Sequence, residues 1–333
     1  MNFNSMIIAL VIITVALIFP IIINFKKNKA SGIASAAVII IVWIIVVPLA
    51  ITSEKREAIR QEEYNKTMEF LDSIKEENPY GNFIEGKTFL VGSNAYLGFT
   101  SLPNDCEKLV FEKEPWLMFS FGRTLYNLKD LKDIEFNYDG CEYVVENGAL
   151  YNKDKTILYA LLQGRKDTSF VVPSSVTMID SYAFAENDNI RTVSMSNSVT
   201  ELGESCFYNC KSLESITLSD NIEVIPKECF WQDSNLININ LPNRLKTVSQ
   251  YGLASCGFTK IVFPNSMVSV EKSAFEWCRE LETLELNNGL EAIGDYAFDS
   301  CNKINSVTIP NSVVYLGRRA FSIENVTLPS RFK

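Results

Sequence analysis

From Thr168 to Phe321 the apolar positions recur every 23 residues, in units opening at Thr168, Arg191, Glu214, Ile237, Thr259, Glu282 and Asn305. Each unit starts x-x-apolar-x-apolar, passes through Pro, Ser or Asn to two apolar residues three apart, and then carries a small residue followed by a large one. The third position is Phe170, Val193, Ile216, Ile239, Ile261, Leu284 and Val307. Alternation around that position predicts a short strand with one buried face. Position 12 supplies a second apolar row, from Ile179 to Leu316. Position 17 is Phe in every unit except the one holding Leu253, and position 16 is always Ala, Cys or Gly. A unit this short cannot enclose those side chains alone. The pattern therefore predicts stacked units sharing one core, a solenoid, with the small residue leaving room for the neighbouring ring.

The phrases TKIVFPNSMVSVEKSAFEWCREL, ETLELNNGLEAIGDYAFDSCNKI and NSVTIPNSVVYLGRRAF repeat Pro-Asn-Ser, Ile-Gly, Ala-Phe and Cys elements in one order. In this the array resembles the BspA-like, treponemal-type leucine-rich repeat. That resemblance implies a leucine-rich-repeat solenoid over 168–333, mainly β with short turns or 3-10 segments, of about seven repeats. It also implies a role in adhesion or ligand binding. The segment Val144–Leu162 resembles the hairpin that leads into such arrays, so 141–167 is expected to be a β-hairpin. Two departures stand out: the Ile237 unit is one residue short and has Leu253 in place of Phe, and the last unit breaks off into ENVTLP.

Upstream, strand-like runs occur at Thr88–Val91, Leu109–Phe111 and Trp116–Phe121. In LKDLKDIEF, Ile134 and Phe136 occupy the two core slots of a repeat strand, and Leu109 and Phe111 stand 25 residues before them. Degenerate rungs are therefore expected from near Cys106 within 80–140. Residues 80–105 form the β-rich cap that an open solenoid end requires.

The amino-terminal 52 residues contain two uncharged apolar runs, which predict transmembrane helices at about 6–24 and 33–52. A cleavable signal peptide fits less well, because the first run lacks a basic start and a second run follows it. Lys26, Lys27 and Lys29 between the runs place that linker in the cytoplasm, and hence both termini and the repeats outside. Lys55, Arg56 and Arg60 argue for the opposite reading, an inward-facing scaffold that recruits a protein partner. Residues 53–79 read as a helical stalk with a narrow stripe of Ile59, Tyr64, Met68, Leu71 and Ile74, closed by Pro79.

Charge and chemistry narrow the function. All 40 acidic residues lie beyond residue 52, against 31 basic residues in the whole chain, so nucleic acid is not an expected partner. The expected contacts are the bilayer and a protein or glycan ligand. The absence of His removes Ser-His-Asp and Cys-His nucleophile systems and the usual zinc helix, and no catalytic, metal or cofactor site is expected. Six of the eight Cys fall at position 16 or 20 of their units, in register with the core, which predicts small apolar side chains rather than disulfides or metal ligands. Gly81–Thr88 reads GNFIEGKT, a literal phosphate-loop match in which Gly81 and Gly86 would shape the loop, Lys87 reach a phosphate and Thr88 hold magnesium. A phosphate loop must open a helix. FLVGSNAYLGF reads as a strand, so this segment is expected to be a turn into a hairpin, with a nucleotide-dependent protein as the third functional reading.

The residues that alternate with the buried third position form a strand face of small polar groups, from which Thr217, Asn240, Lys260 and Glu285 are ligand-contact candidates. Tyr208 and Trp231 at position 18 and Trp277 at position 19 predict an aromatic ridge just past the Phe row.

Overall fold

The computed structural model describes residues 81–91, 96–97, 102–117, 120–323 and 326–332. The predicted spans at 6–24 and 33–52 and the stalk at 53–79 lie outside the described residues. Among the described residues no helix is long and apolar enough to cross a membrane.

The units of the array are hydrogen-bonded along three lines, the first interrupted after Asn238–Ile239 and after Thr283–Glu285, the second after Glu201–Leu202. Strands at positions 2 to 4 pair in parallel one period apart, Ser169 opposite Thr192 and Thr192 opposite Ser215. Strands at positions 11 and 12 do the same, Met178 opposite Glu201 and Ile179 opposite Leu202. Alternation works as expected: Phe170 is buried between exposed Ser169 and Val171.

The third line is not a sheet. Along positions 15, 17 and 19 the N–H groups donate to the carbonyls at positions 14, 16 and 18 of the next unit, as in Tyr182 to Glu204, Phe184 to Cys206 and Glu186 to Tyr208. The chain here runs through consecutive turns, with Ala183 bonded back to Asp180 and Ala185 to Tyr182. Position 15 in all seven units and position 19 in the first six adopt left-handed φ, between 51° and 70°, and none of these residues is glycine. Of the short turns or 3-10 segments expected, the units use turns. Among the described residues a 3-10 segment occurs only at Ser330–Phe332.

Inside, the Phe row forms a stack of parallel rings. Centroids are 4.5 Å apart for Phe184 and Phe207, 5.1 Å for Phe207 and Phe230, 5.0 Å for Phe275 and Phe298, and 4.9 Å for Phe298 and Phe321. The Ile237 unit breaks the stack at Leu253 and compensates with Phe258. That ring fills the last slot of the unit, where its neighbours carry Leu236 and Leu281, and reaches Phe275 at 6.2 Å. The missing residue comes out of the turn before the strand. There Gly257 passes so close to the preceding unit that a Cβ would lie 2.3 Å from the carbonyl oxygen of Ser234.

The position-20 thiols have a shared role. Cys210, Cys256, Cys278 and Cys301 each point Sγ at the carbonyl of the position-17 residue one unit back, at 3.0 to 3.2 Å. All eight Cys are free and seven are buried. Even Cys206 and Cys229, with sulfurs 3.4 Å apart, are not bonded covalently. A small apolar side chain with a weak donor suits this site, since it fills the core and satisfies a carbonyl together.

Upstream of the array, β1 (Gly81–Glu85) and β2 (Thr88–Val91) form an antiparallel hairpin. The short strands β3 (Tyr96–Leu97) and β5 (Trp116–Leu117) pair in parallel. β4 (Lys108–Phe111) lies between β2 and β6 (Asp133–Phe136), parallel to both. The degenerate rungs thus begin at β2, one strand earlier than the expected start near Cys106, because Phe89 and Val91 fill the inward slots that Leu109 and Phe111 fill in β4.

The expected hairpin over 141–167 is a three-stranded meander of β7 (Tyr143–Glu146), β8 (Ala149–Asn152) and β9 (Ile157–Leu161). β9 pairs in parallel with Met178–Ile179 and so opens the second sheet of the array. Tyr151 and Leu158 join the repeat core while Leu150 and Ala160 join the core of the upstream rungs, which makes the meander a shared wall. The short helix α1 (Phe121–Leu125) completes the junction. Ser120 caps it by accepting from the Arg123 N–H and donates to the Ser181 carbonyl at 2.8 Å. Gly122 permits this docking, since a Cβ there would lie 2.4 Å from the same oxygen.

Candidate ligand-binding face

The strand face is largely committed to joining units. Lys260 Nζ lies 2.7 Å from Glu285 Oε1, a pair between positions 2 and 4 of adjacent units. Asn240 stands where the first sheet is interrupted, between the strands at Asn238–Ile239 and Lys260–Val262. In the intact stretches the position-5 N–H donates to the position-4 carbonyl of the next unit, as Val172 does to Ser194. On the paired side of the break the N–H of Leu218 donates instead to Asn240 Oδ1 at 2.8 Å, and Asn240 Nδ2 donates back to the Leu218 carbonyl at 3.3 Å. The side chain substitutes for a backbone group. Thr217 is exposed, and the remaining apolar presence on this face is Val171 and Val262, 73% and 46% exposed.

The turn face gathers rings. Tyr208 and Trp231 approach to 5.6 Å with their planes inclined by 56°, and Trp231 stacks on Tyr251 at 5.2 Å and 21°. Tyr126, at the end of α1, lies 6.0 Å from Tyr182, which continues the run toward the upstream rungs. All of these rings are half-buried. Burial raises the pKa of the Tyr208 phenol, and the carboxylates of Glu186 and Glu228 push it the same way. The Trp231 indole N–H is shielded with no acceptor among the described residues. Trp277, 38% exposed, does not join this run: it sits at position 19 in the left-handed conformation, and no ring contact is made to it among the described residues.

Tyr182 and Tyr251 were not among the expected ridge residues. Their signal is present, because position 15 is Tyr in three units, Tyr182, Tyr251 and Tyr296. What places them beside position 18 is the left-handed turn, which the apolar periodicity does not encode. Guanidinium groups cover both ends of the face. Arg123 lies 5.1 Å over Tyr182 and donates to its hydroxyl at 3.0 Å, while Arg318 and Arg319 each lie 5.6 Å from the Tyr296 ring.

The GNFIEGKT segment is a hairpin turn. Gly86 has φ of +52° between β1 and β2, a strand rather than a helix follows, and Lys87 pairs with Glu107 at 3.3 Å. Its hydrogen bond and charge attraction to Glu107 raise the Lys87 pKa. Gly81, Gly86, Lys87 and Thr88 therefore do not surround a phosphate-sized nest opening a helix.

Parallel strands stacked at a 23-residue period over a continuous apolar core define a leucine-rich-repeat solenoid. The chain belongs to the BspA type leucine rich repeat family, whose six-copy model matches residues 155–257 and 246–333. A leucine-rich repeat protein from Eubacterium ventriosum is similar in structure, with TM-score 0.58 and 28% identity, covering 68% of this chain and 60% of its own. This chain thus spans about 60% of that relative's length. A leucine-rich repeat protein from Bacteroides ovatus is also similar, with TM-score 0.47, 24% identity and coverage of 56% of this chain and 51% of its own. No curated protein matches the chain.

Proposed function

We propose that this chain is a non-catalytic binding protein, held in a membrane by its two amino-terminal apolar runs and displaying its repeats at a cell surface. Its ligand, a protein or a glycan, meets the turn face rather than the strand face. The observation that carries this reading is the half-buried run of Tyr208, Trp231 and Tyr251, in a molecule whose strand-face candidates Asn240, Lys260 and Glu285 are bonded between units. Aromatic side chains with an apolar body and a polar edge are the groups that dominate recognition surfaces.

Two measurements test it. A protease added to intact producing cells should remove the repeats, and full protection would place them inside. Cells carrying Tyr208→Ser, Trp231→Ser and Tyr251→Ser together should lose adherence to protein-coated or glycan-coated surfaces at unchanged surface abundance. Undiminished adherence would move the site elsewhere. Lys55, Arg56 and Arg60 favour the second reading, an inward-facing scaffold, and protection of the repeats is the outcome that reading requires.

A further inference from the structure

We propose that the tilted pair Tyr208 and Trp231 receives an arginine side chain from a partner protein. This rests on the turn face being the ligand-binding surface, and names what that surface recognises.

The chain already contains a related pair, inclined by 35°, with a guanidinium against one of its rings. Tyr126 and Tyr182 are a tilted aromatic pair on the same face, 6.0 Å apart, and the Arg123 guanidinium lies 5.1 Å over one of the two rings while donating to its hydroxyl. At the far end Arg318 and Arg319 lie against Tyr296. Between them, Tyr208 and Trp231 are tilted by 56° at 5.6 Å, and no guanidinium covers either ring among the described residues. The neighbouring pair of Trp231 and Tyr251, at 21°, closes ring on ring, whereas the planes of Tyr208 and Trp231 incline by 56°.

Charge selects the same occupant. Glu186 and Glu228 lie close enough to act on the Tyr208 hydroxyl, and each is accompanied by one lysine, Lys129 and Lys227. The whole chain carries a formal charge of −9. A guanidinium gains from both the ring quadrupole and the carboxylates, and its planar shape stacks where a lysine ammonium cannot. A neutral sugar stacks on the rings and donates hydroxyls to the carboxylates, without the charge attraction that a guanidinium gains.

The test uses the full chain in detergent micelles and three probes: a decapeptide alternating Gly and Arg, the same peptide with Lys, and chitohexaose. Binding is read by calorimetry at physiological salt. The arginine peptide should bind roughly threefold to tenfold more tightly than the lysine peptide. Trp231→Leu should remove that advantage, and Trp277→Leu should leave it unchanged. If Trp231→Leu lowers the unfolding midpoint, Tyr208→Leu serves as the second variant, read in the same way. Equal binding of the two peptides, binding indifferent to both variants, or no peptide binding would overturn the proposal. Trp231-dependent binding of chitohexaose without peptide binding would overturn the arginine partner while leaving the turn-face reading in place.

Discussion

Asp233 accepts the backbone N–H of Cys210 at 2.7 Å from a position with no solvent exposure, and its second carboxyl oxygen has no partner among the described residues. It stands in the position-20 column, among thiols. Burial raises its pKa well above the ordinary 3.8, and the bond from the Cys210 N–H opposes that shift.

A pH dependence with a definite sign follows. Below the ordinary carboxyl value both folded and unfolded chains hold the proton, and the buried group costs no ionisation energy. As pH rises past it the unfolded chain releases the proton while the folded chain keeps it, so stability falls. Asp233→Asn retains the acceptor for Cys210 without the titration. Its urea midpoint should match wild type near about pH 4 and exceed it near about pH 8. A difference independent of pH would mean that Asp233 ionises in the fold.

Asn240 is predicted to be a structural residue. Asn240→Ala removes both bonds to Leu218 at the break in the first sheet. The loss should be about 1 kcal/mol, since the freed N–H gains some access to water. Thr217→Ala, on the same face, serves as the comparison and should change the unfolding free energy by less than about 0.5 kcal/mol.

Leu253 and Phe258 are predicted to be coupled. Leu253→Phe overfills a unit already holding the Phe258 ring and should cost roughly 1–3 kcal/mol. Phe258→Leu leaves a void beside Phe275 at a similar cost. The double swap should be less destabilised than the two singles combined. Additive losses would show that the two slots do not share volume.

Thiol labelling should separate Cys141 from the rest. It is the half-buried cysteine, and the other seven are enclosed. Burial also pushes Cys210, Cys229, Cys256 and Cys278 well above the usual thiol range, away from the reactive thiolate. Iodoacetamide at neutral pH should add one label to the native chain and eight to the urea-unfolded chain, counted by intact mass.

The period of 23 residues made the repeat core legible, because burial of Phe170, Ile179 and Phe184 imposes the same choice on every unit. It also placed the cysteines, whose register matched the core and not a disulfide pattern. The meander was half legible: β7 and β8 read as a hairpin, but the passage of β9 into a parallel pairing with Met178–Ile179 depends on a neighbour that local pattern does not report. The turn face was the least legible. Tyr208 and Trp231 could be singled out as aromatic, yet Tyr182 and Tyr251 join them only through a left-handed backbone that these sequences adopt without glycine. Conversely, Asn240, Lys260 and Glu285 looked free from their alternation, whereas Asn240 bonds the Leu218 backbone and Lys260 pairs with Glu285.

Seven residues at position 15 and six at position 19 take the left-handed conformation with a side chain attached. Each carries an intrinsic penalty of about 1 kcal/mol or more. A single unit starts in deficit by that amount twice over, and what offsets it is the set of bonds from positions 15, 17 and 19 to the next unit. Nucleation therefore requires at least two adjacent units, and growth proceeds by addition to a formed edge.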